Sequence, residues 1–119
     1  MTDYVDGFVH PIPSVHLPAY RRLVEAVAKI WLEHGALEYR EFVGDELEHE
    51  GTASFPDLLA AKEDEIVVFG WVAFASREAR DRANEKVAVD PRVAELMSSI
   101  DAGFDAERMA YGGFRPLLT

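Results

Sequence analysis

Apolar and polar residues recur along this chain with two different periods, and the changes of period mark its elements. Residues 4–12 are largely apolar and read as a first strand, although Asp6 and Gly7, both poor strand residues, stand in its middle. Ile12, Pro13 and Ser14 break that strand. Ser14 can cap a helix, and Pro18 is tolerated only in a first helical turn, where no intrahelical N–H bond is lost. From there Tyr20, Leu23, Val24, Val27, Ile30 and Trp31 follow the helical period, and Gly35 suits a C-terminal cap, which predicts a helix over 15–34. Residues 36–43 (ALEYREFV) alternate and predict a second strand. A polar, acidic loop follows, then a short helical turn at 56–61. Residues 65–74 (EIVVFGWVAF) are β-branched, aromatic and nearly continuously apolar, the clearest strand of the chain. Ser76 caps a helix over 77–88, and Asp90-Pro91 starts a shorter one carrying Leu96 and Met97. The last strand spans 108–118, with Pro116 ending it or confining it to an edge.

The order β-α-β-β-α-β is the ferredoxin-like, α+β arrangement, and its usual sheet is antiparallel in the order 4-1-3-2 with both main helices on one face. A single domain is expected from the length of 119 residues. The third strand raises a difficulty. Ile66, Val68 and Val72 lie on one side, with Val67, Phe69 and Trp71 on the other. A strand apolar on both faces should be buried on both, and the helices cover only one. A second copy of the sheet is the economical cover, so a homodimer is expected.

Composition narrows the function classes. The net charge of −10 leaves few basic residues to replace phosphate counterions, so neither nucleic acid nor an anionic membrane surface is an expected partner. The absence of cysteine excludes disulfides, thiolate metal sites and cysteine nucleophiles. The first residues carry no signal-peptide pattern. The longest apolar run, residues 66–75, is about half the ~20 residues of a membrane span, and a cytoplasmic location is expected.

His10, His16, His34 and His49 show no metal-binding spacing. His34 closes the first helix, where a cation suits the helix dipole; for His10 and His16 simple exposure is favoured over a pocket, and His49 sits in the acidic loop. No phosphate-loop, nucleophile-elbow or dinucleotide motif is present, so no metal and no cofactor is expected. The carboxylates are more informative. Asp6 alternates with Tyr4 and Phe8, and Glu41 is the odd member of a face made by Leu37, Tyr39 and Val43, whereas Glu38 shares the opposite face with Arg40. A carboxylate on a buried face must be paired, hydrogen-bonded or protonated. Asp6 and Glu41 therefore serve either as structural partners of Arg77, Arg80, Arg92 or Arg108, or as ligand or acid–base groups. Trp71 and Tyr111 are sheet aromatics with one polar tip each, suited to core, interface or pocket wall. Alternation leaves open whether Trp71 shares the face of Asp6. Gly112 and Gly113 relieve crowding, kink the strand or let another backbone approach, in a strand that should lie beside the first.

The stretches YVDGFV, HGALEY, VVFGW, SREARD, DPR and RMAYGGF occur in this order in a sequence that resembles the YbaA-like bacterial family, domain of unknown function 1428. The likeness spans nearly the whole chain and implies the dimeric α+β barrel fold, in which two ferredoxin-like protomers pack sheet against sheet. Asp6, Glu41, Trp71, Arg77, Asp81, Asn84, Arg92 and Tyr111 lie in the matching motifs, but the resemblance transfers no role to any of them. The loop DELEHEGTASF departs from the family in its glutamate content.

Three functions follow as expectations. The first is a homodimeric small-molecule-binding protein with candidate ligand residues Asp6, Glu41, Trp71 and Tyr111. The second is a cofactor-independent isomerase or monooxygenase of small apolar substrates, with Asp6 or a nearby histidine as base. The third is a structural or partner-binding dimer with no pocket.

Overall fold

A computed structural model describes residues 2–119. β1 runs Tyr4–Pro13, α1 Leu17–Glu33, β2 Glu38–Val43, α2 Phe55–Leu59, β3 Glu65–Phe74, α3 Arg77–Val89, α4 Pro91–Ser99 and β4 Ala110–Phe114. Local chemistry sets most of these limits. Ser76 Oγ accepts the Ala79 N–H at 3.0 Å, Asp90 accepts the Arg92 N–H at 2.9 Å, and Ser54 accepts the Asp57 N–H at 3.2 Å, each satisfying an orphan donor at a helix start. Gly35 follows α1 at φ +113°, a conformation that favours glycine. Ser14 differs from the sequence expectation: it opens a short 3-10 turn over Ser14–His16, and the start of α1 carries no side-chain cap.

The strands form one antiparallel sheet in the order β2-β3-β1-β4, the expected order read from the other edge. Two cross-strand rows position everything that follows. Glu41 lies opposite Gly70, Gly70 opposite Phe8, and Phe8 opposite Tyr111. The next row on the same face runs Tyr39, Val72, Asp6, Gly113. Because directly opposed residues share a face, Asp6, Glu41 and Tyr111 all point toward one layer. The intervening row, Arg40, Trp71, Gly7, Gly112, points the other way.

β1 tolerates two prolines because β4 pairs with it only from Val5 to Val9, which leaves the Pro11–Pro13 stretch bonded on one side alone. β4 is also shorter than its apolar pattern. Residues 106–108 take a 3-10 turn capped by Asp105, and Arg108 is drawn away to the Glu65 carboxylate, with Nη2 to Oε1 at 2.9 Å.

The helices cover one face. Ile12, Tyr20, Leu23, Val68 and Ala102 form one buried cluster, and Phe8, Ala36, Val72, Phe74 and Ala83 another. Each fully buried large side chain there contributes about 1.5–3 kcal/mol by leaving water. The α1 C-terminus is bolted to the start of α4. His34 Nε2 meets Asp90 Oδ2 at 2.8 Å, while Arg92 reaches Asp90 Oδ2 at 2.8 Å and Glu33 at 2.7 Å. The opposite face is apolar and open in its middle, a shallow hollow of about 540 Å³ lined by Val5, Val9, Phe69, Trp71, Ala110 and Phe114. The molecule is a slab 20 Å thick. The short α2 reaches the margin of this face, where Phe55 lies 6.4 Å from Phe69, ring to ring.

Candidate functional site

Glu41 sits on the edge strand β2 and points under α1. Its two carboxylate oxygens are held separately. The Tyr20 hydroxyl, from α1, donates to Oε1, and the Tyr39 hydroxyl, two residues away on β2, donates to Oε2 at 2.7 Å. Behind Tyr20 lies His10 of β1, whose Nε2 is 2.9 Å from the Tyr20 oxygen. The single Tyr20 proton goes to Glu41, so the Tyr20 oxygen accepts from His10, and Nε2 carries the imidazole proton. Nδ1 has no hydrogen-bond partner. The side chain is fully enclosed, and burial lowers its pKa to about 4, which keeps the ring neutral at physiological pH.

This corrects the expectation of an exposed His10. The alternation that carries Asp6 and Phe8 under the helices carries His10 there too, opposite Val68.

Among the described residues no cation pairs with Glu41. Burial raises its pKa above the usual carboxylate value, and the two phenol donors oppose that rise. Burial, followed by the Glu41 charge, pushes the hydroxyl pKa values of both Tyr20 and Tyr39 above the ordinary range. Gly70 makes this arrangement possible. A Cβ at that position would lie 2.5 Å from Phe8 Cζ, 2.7 Å from the Arg40 carbonyl oxygen and 2.9 Å from Glu41 Cγ. Only a glycine allows both side chains to cross its strand.

Glu41, Tyr20 and Tyr39 separate two hollows and line both. The inner chamber, about 230 Å³, lies between sheet and helices and is walled by Phe8, Trp31, Phe104 and Tyr111 with Met97 and Met109. The outer one, about 400 Å³, opens between α1 and β2 and carries Arg21 and Glu25, which pair with each other at 3.2 Å.

Asp6 takes a different part. It is fully buried, and its oxygens are already engaged: Arg80 Nη1 donates to Oδ1 at 2.7 Å and the Tyr111 hydroxyl to Oδ2 at 2.6 Å. Arg80 lies over the Tyr4 ring at 4.8 Å and also holds Asp81 at 2.8 Å. Burial, then the bond to Asp6, raises the Tyr111 pKa above its usual range. Asp6 is thus closed off as an ion pair that orients Tyr111, whose ring stacks on Phe8 along the chamber wall, with centroids 6.2 Å apart. Trp71 is on the opposite face, where its indole N–H donates to Glu38 at 3.1 Å and the Arg40 guanidinium covers its ring at 5.9 Å. Of the candidates named from sequence, Glu41 and Tyr111 line the inner chamber, Asp6 supports it, and Trp71 lies outside it.

Tyr20, Tyr39 and His10 complete the site. Their signal was a polar tip on an otherwise apolar face, which needs a partner when buried. Among the described residues no group of three His, Asp or Glu side chains could hold a metal ion.

An antiparallel βαββαβ sheet with one helix-covered face and one open apolar face places the chain in the ferredoxin-like, dimeric α+β barrel fold class. The chain belongs to the family described as protein of unknown function DUF1428, whose model matches residues 3–106. It is 38% identical over 115 residues to the uncharacterized protein YbaA of Escherichia coli K12, which covers 97% of each chain, and the same holds for YbaA of Shigella flexneri. Two of the solved structures that share the fold illustrate the likeness. One is a NIPSNAP family protein from Agrobacterium tumefaciens, with TM-score 0.57 and 18% identity over 97% of this chain and 88% of that one. The other is a monooxygenase from the gene ActVA-Orf6 of Streptomyces coelicolor in complex with Nanaomycin D, with TM-score 0.53 and 20% identity over 99% and 90%. No helix among the described residues is long and apolar enough to cross a membrane.

Proposed function

We propose that the protein is a homodimer that binds a small molecule in the inner chamber of each protomer, with Glu41 as the polar anchor. One observation carries this reading: a half-buried carboxylate, held by two phenols and unpaired with any cation among the described residues, faces an apolar cavity of about 230 Å³. Ligand sites have this character, mostly apolar walls with a few placed polar groups. Tyr39 and Tyr111 supply further acceptor oxygens, and the Asp6–Arg80 pair fixes Tyr111. The dimer is supported by the open face, where Phe69 and Phe114 are 44% and 62% exposed beside Trp71. A cavity of this kind favours ligand binding over a dimer with no pocket.

A second reading is favoured by the raised pKa of Glu41. Such a carboxylate suits a general base that removes a proton from an activated carbon beside a carbonyl and returns it to a neighbouring carbon, a cofactor-independent isomerisation. This transfers to Glu41 the base role expected of Asp6, whose oxygens are spent on Arg80 and Tyr111. The ActVA-Orf6 protein, which shares the fold, is a monooxygenase, so this scaffold can carry catalysis.

A thermal-shift screen on wild type and Glu41→Gln tests the binding reading. Compounds that raise the wild-type Tm should lose that effect in the variant. Equal stabilisation of both proteins would take Glu41 out of the site.

A further inference from the structure

We propose that the inner chamber is built for an organic cation, a protonated or quaternary amine carrying an aromatic or similarly apolar body. The inference rests on the reading of the Glu41 chamber as a small-molecule site and specifies its ligand class.

The charges around the chamber are unequally satisfied. Arg80 is committed to Asp6 at 2.7 Å and Asp81 at 2.8 Å. Arg21 belongs to the outer hollow and is paired with Glu25. Glu41 is the one chamber carboxylate with no cationic partner among the described residues. An anionic ligand would bring a second desolvated negative charge against it, which is costly at low dielectric.

The hydrogen-bond inventory points the same way. The Tyr20 and Tyr39 protons go to Glu41, and the Tyr111 proton goes to Asp6. The Tyr20 oxygen already accepts from His10, and the Tyr39 and Tyr111 oxygens, with the remaining lone pairs of the carboxylate, are left as acceptors. The wall therefore asks for a ligand that donates. Phe8, Trp31, Tyr39, Phe104 and Tyr111 add aromatic faces, which attract a desolvated cation, and Met97 and Met109 add polarisable sulfur. An ammonium group at Glu41 would supply the missing counter-charge while its hydrocarbon filled the space between Phe8, Trp31 and Phe104. The net charge of −10 raises the local concentration of such cations around the protein.

Three probes of nearly equal shape decide the matter: phenethylamine, phenethyl alcohol and phenylacetate, titrated calorimetrically into the full-length protein at neutral pH. The amine should bind at least ~10-fold more tightly than the alcohol, and phenylacetate should give no binding heat. Glu41→Gln should bring the amine down to the affinity of the alcohol. Because the wild-type ranking needs no variant, a folding defect in Glu41→Gln leaves the test intact. Binding of the alcohol or phenylacetate as tightly as the amine overturns the cation class and leaves a small-molecule site standing. An undiminished amine preference in Glu41→Gln overturns the assignment to Glu41. No binding of any probe overturns the cation class, and the screen of the wild type then judges the binding reading separately.

Discussion

The Tyr20 hydroxyl of α1 donates to the Glu41 carboxylate of β2, and this one hydrogen bond joins the helix layer to the edge of the sheet at the mouth of the chamber. Tyr20→Phe should remove a donor that favours the ionised carboxylate, and so raise the Glu41 pKa further. A carbon-detected NMR titration of the Glu41 side chain reads this directly. Stability should fall by about 1–3 kcal/mol, because the buried His10 N–H loses its acceptor as well.

Asp6 and Arg80 make a different kind of contact. Their side chains are 0% and 15% exposed. Asp6→Ala leaves Arg80 with the exposed Asp81 alone and the Tyr111 hydroxyl without its acceptor, which should cost about 1–3 kcal/mol. Replacing both members together, Asp6→Leu with Arg80→Met, should recover part of that loss. Chemical denaturation of the three proteins checks the order. A silent Asp6→Ala would show that the pair is not holding β1 to α3.

Acid stability should carry the mark of Glu65. The Arg108 guanidinium beside it lowers its pKa from 4.5 to about 2. A carboxylate depressed in the folded state contributes stability that is complete above pH 4.5 and is lost as pH falls toward 2. Glu41 acts in the opposite sense. Its raised pKa makes the folded state hold a proton that the unfolded chain releases, so its contribution is complete below pH 4.5 and declines as pH rises above it. Denaturation midpoints measured across acid pH should show a shallower loss in Glu65→Gln. In Glu41→Gln the loss toward acid should be steeper than in wild type.

The open face predicts self-association. At micromolar concentration the protein should sediment as a dimer. Phe69→Glu with Trp71→Glu, which puts charge into the middle of that face, should yield a folded monomer. A wild-type monomer under the same conditions would contradict sheet-on-sheet packing.

The element order, the sheet order and the two-sided character of β3 were all legible in the sequence, because hydrophobic period and capping residues are local signals. The limits of β4 were not. Its apolar pattern continues, but Arg108 is held by Glu65, forty-three residues away, and a distant pairing leaves no local trace. The face of Trp71 depends on strand register, which alternation within one strand cannot supply. Asp6 and Glu41 both stood out as carboxylates on apolar faces, yet their roles separate only in three dimensions, where Arg80 reaches one and no cation among the described residues reaches the other. His10 was within reach: it continues the alternation of Asp6 and Phe8, and that period outweighs the general tendency of histidine to be exposed.

The most direct test of the chamber reading uses its two methionines. With the methyl groups of Met97 and Met109 carbon-labelled, a compound from the thermal-shift screen is titrated in and both methyl signals are followed by NMR. Entry into the inner chamber predicts that both signals shift in parallel with binding, and that neither responds in Glu41→Gln. Signals that stay in place while the compound saturates the wild-type protein would put the ligand elsewhere and contradict the account.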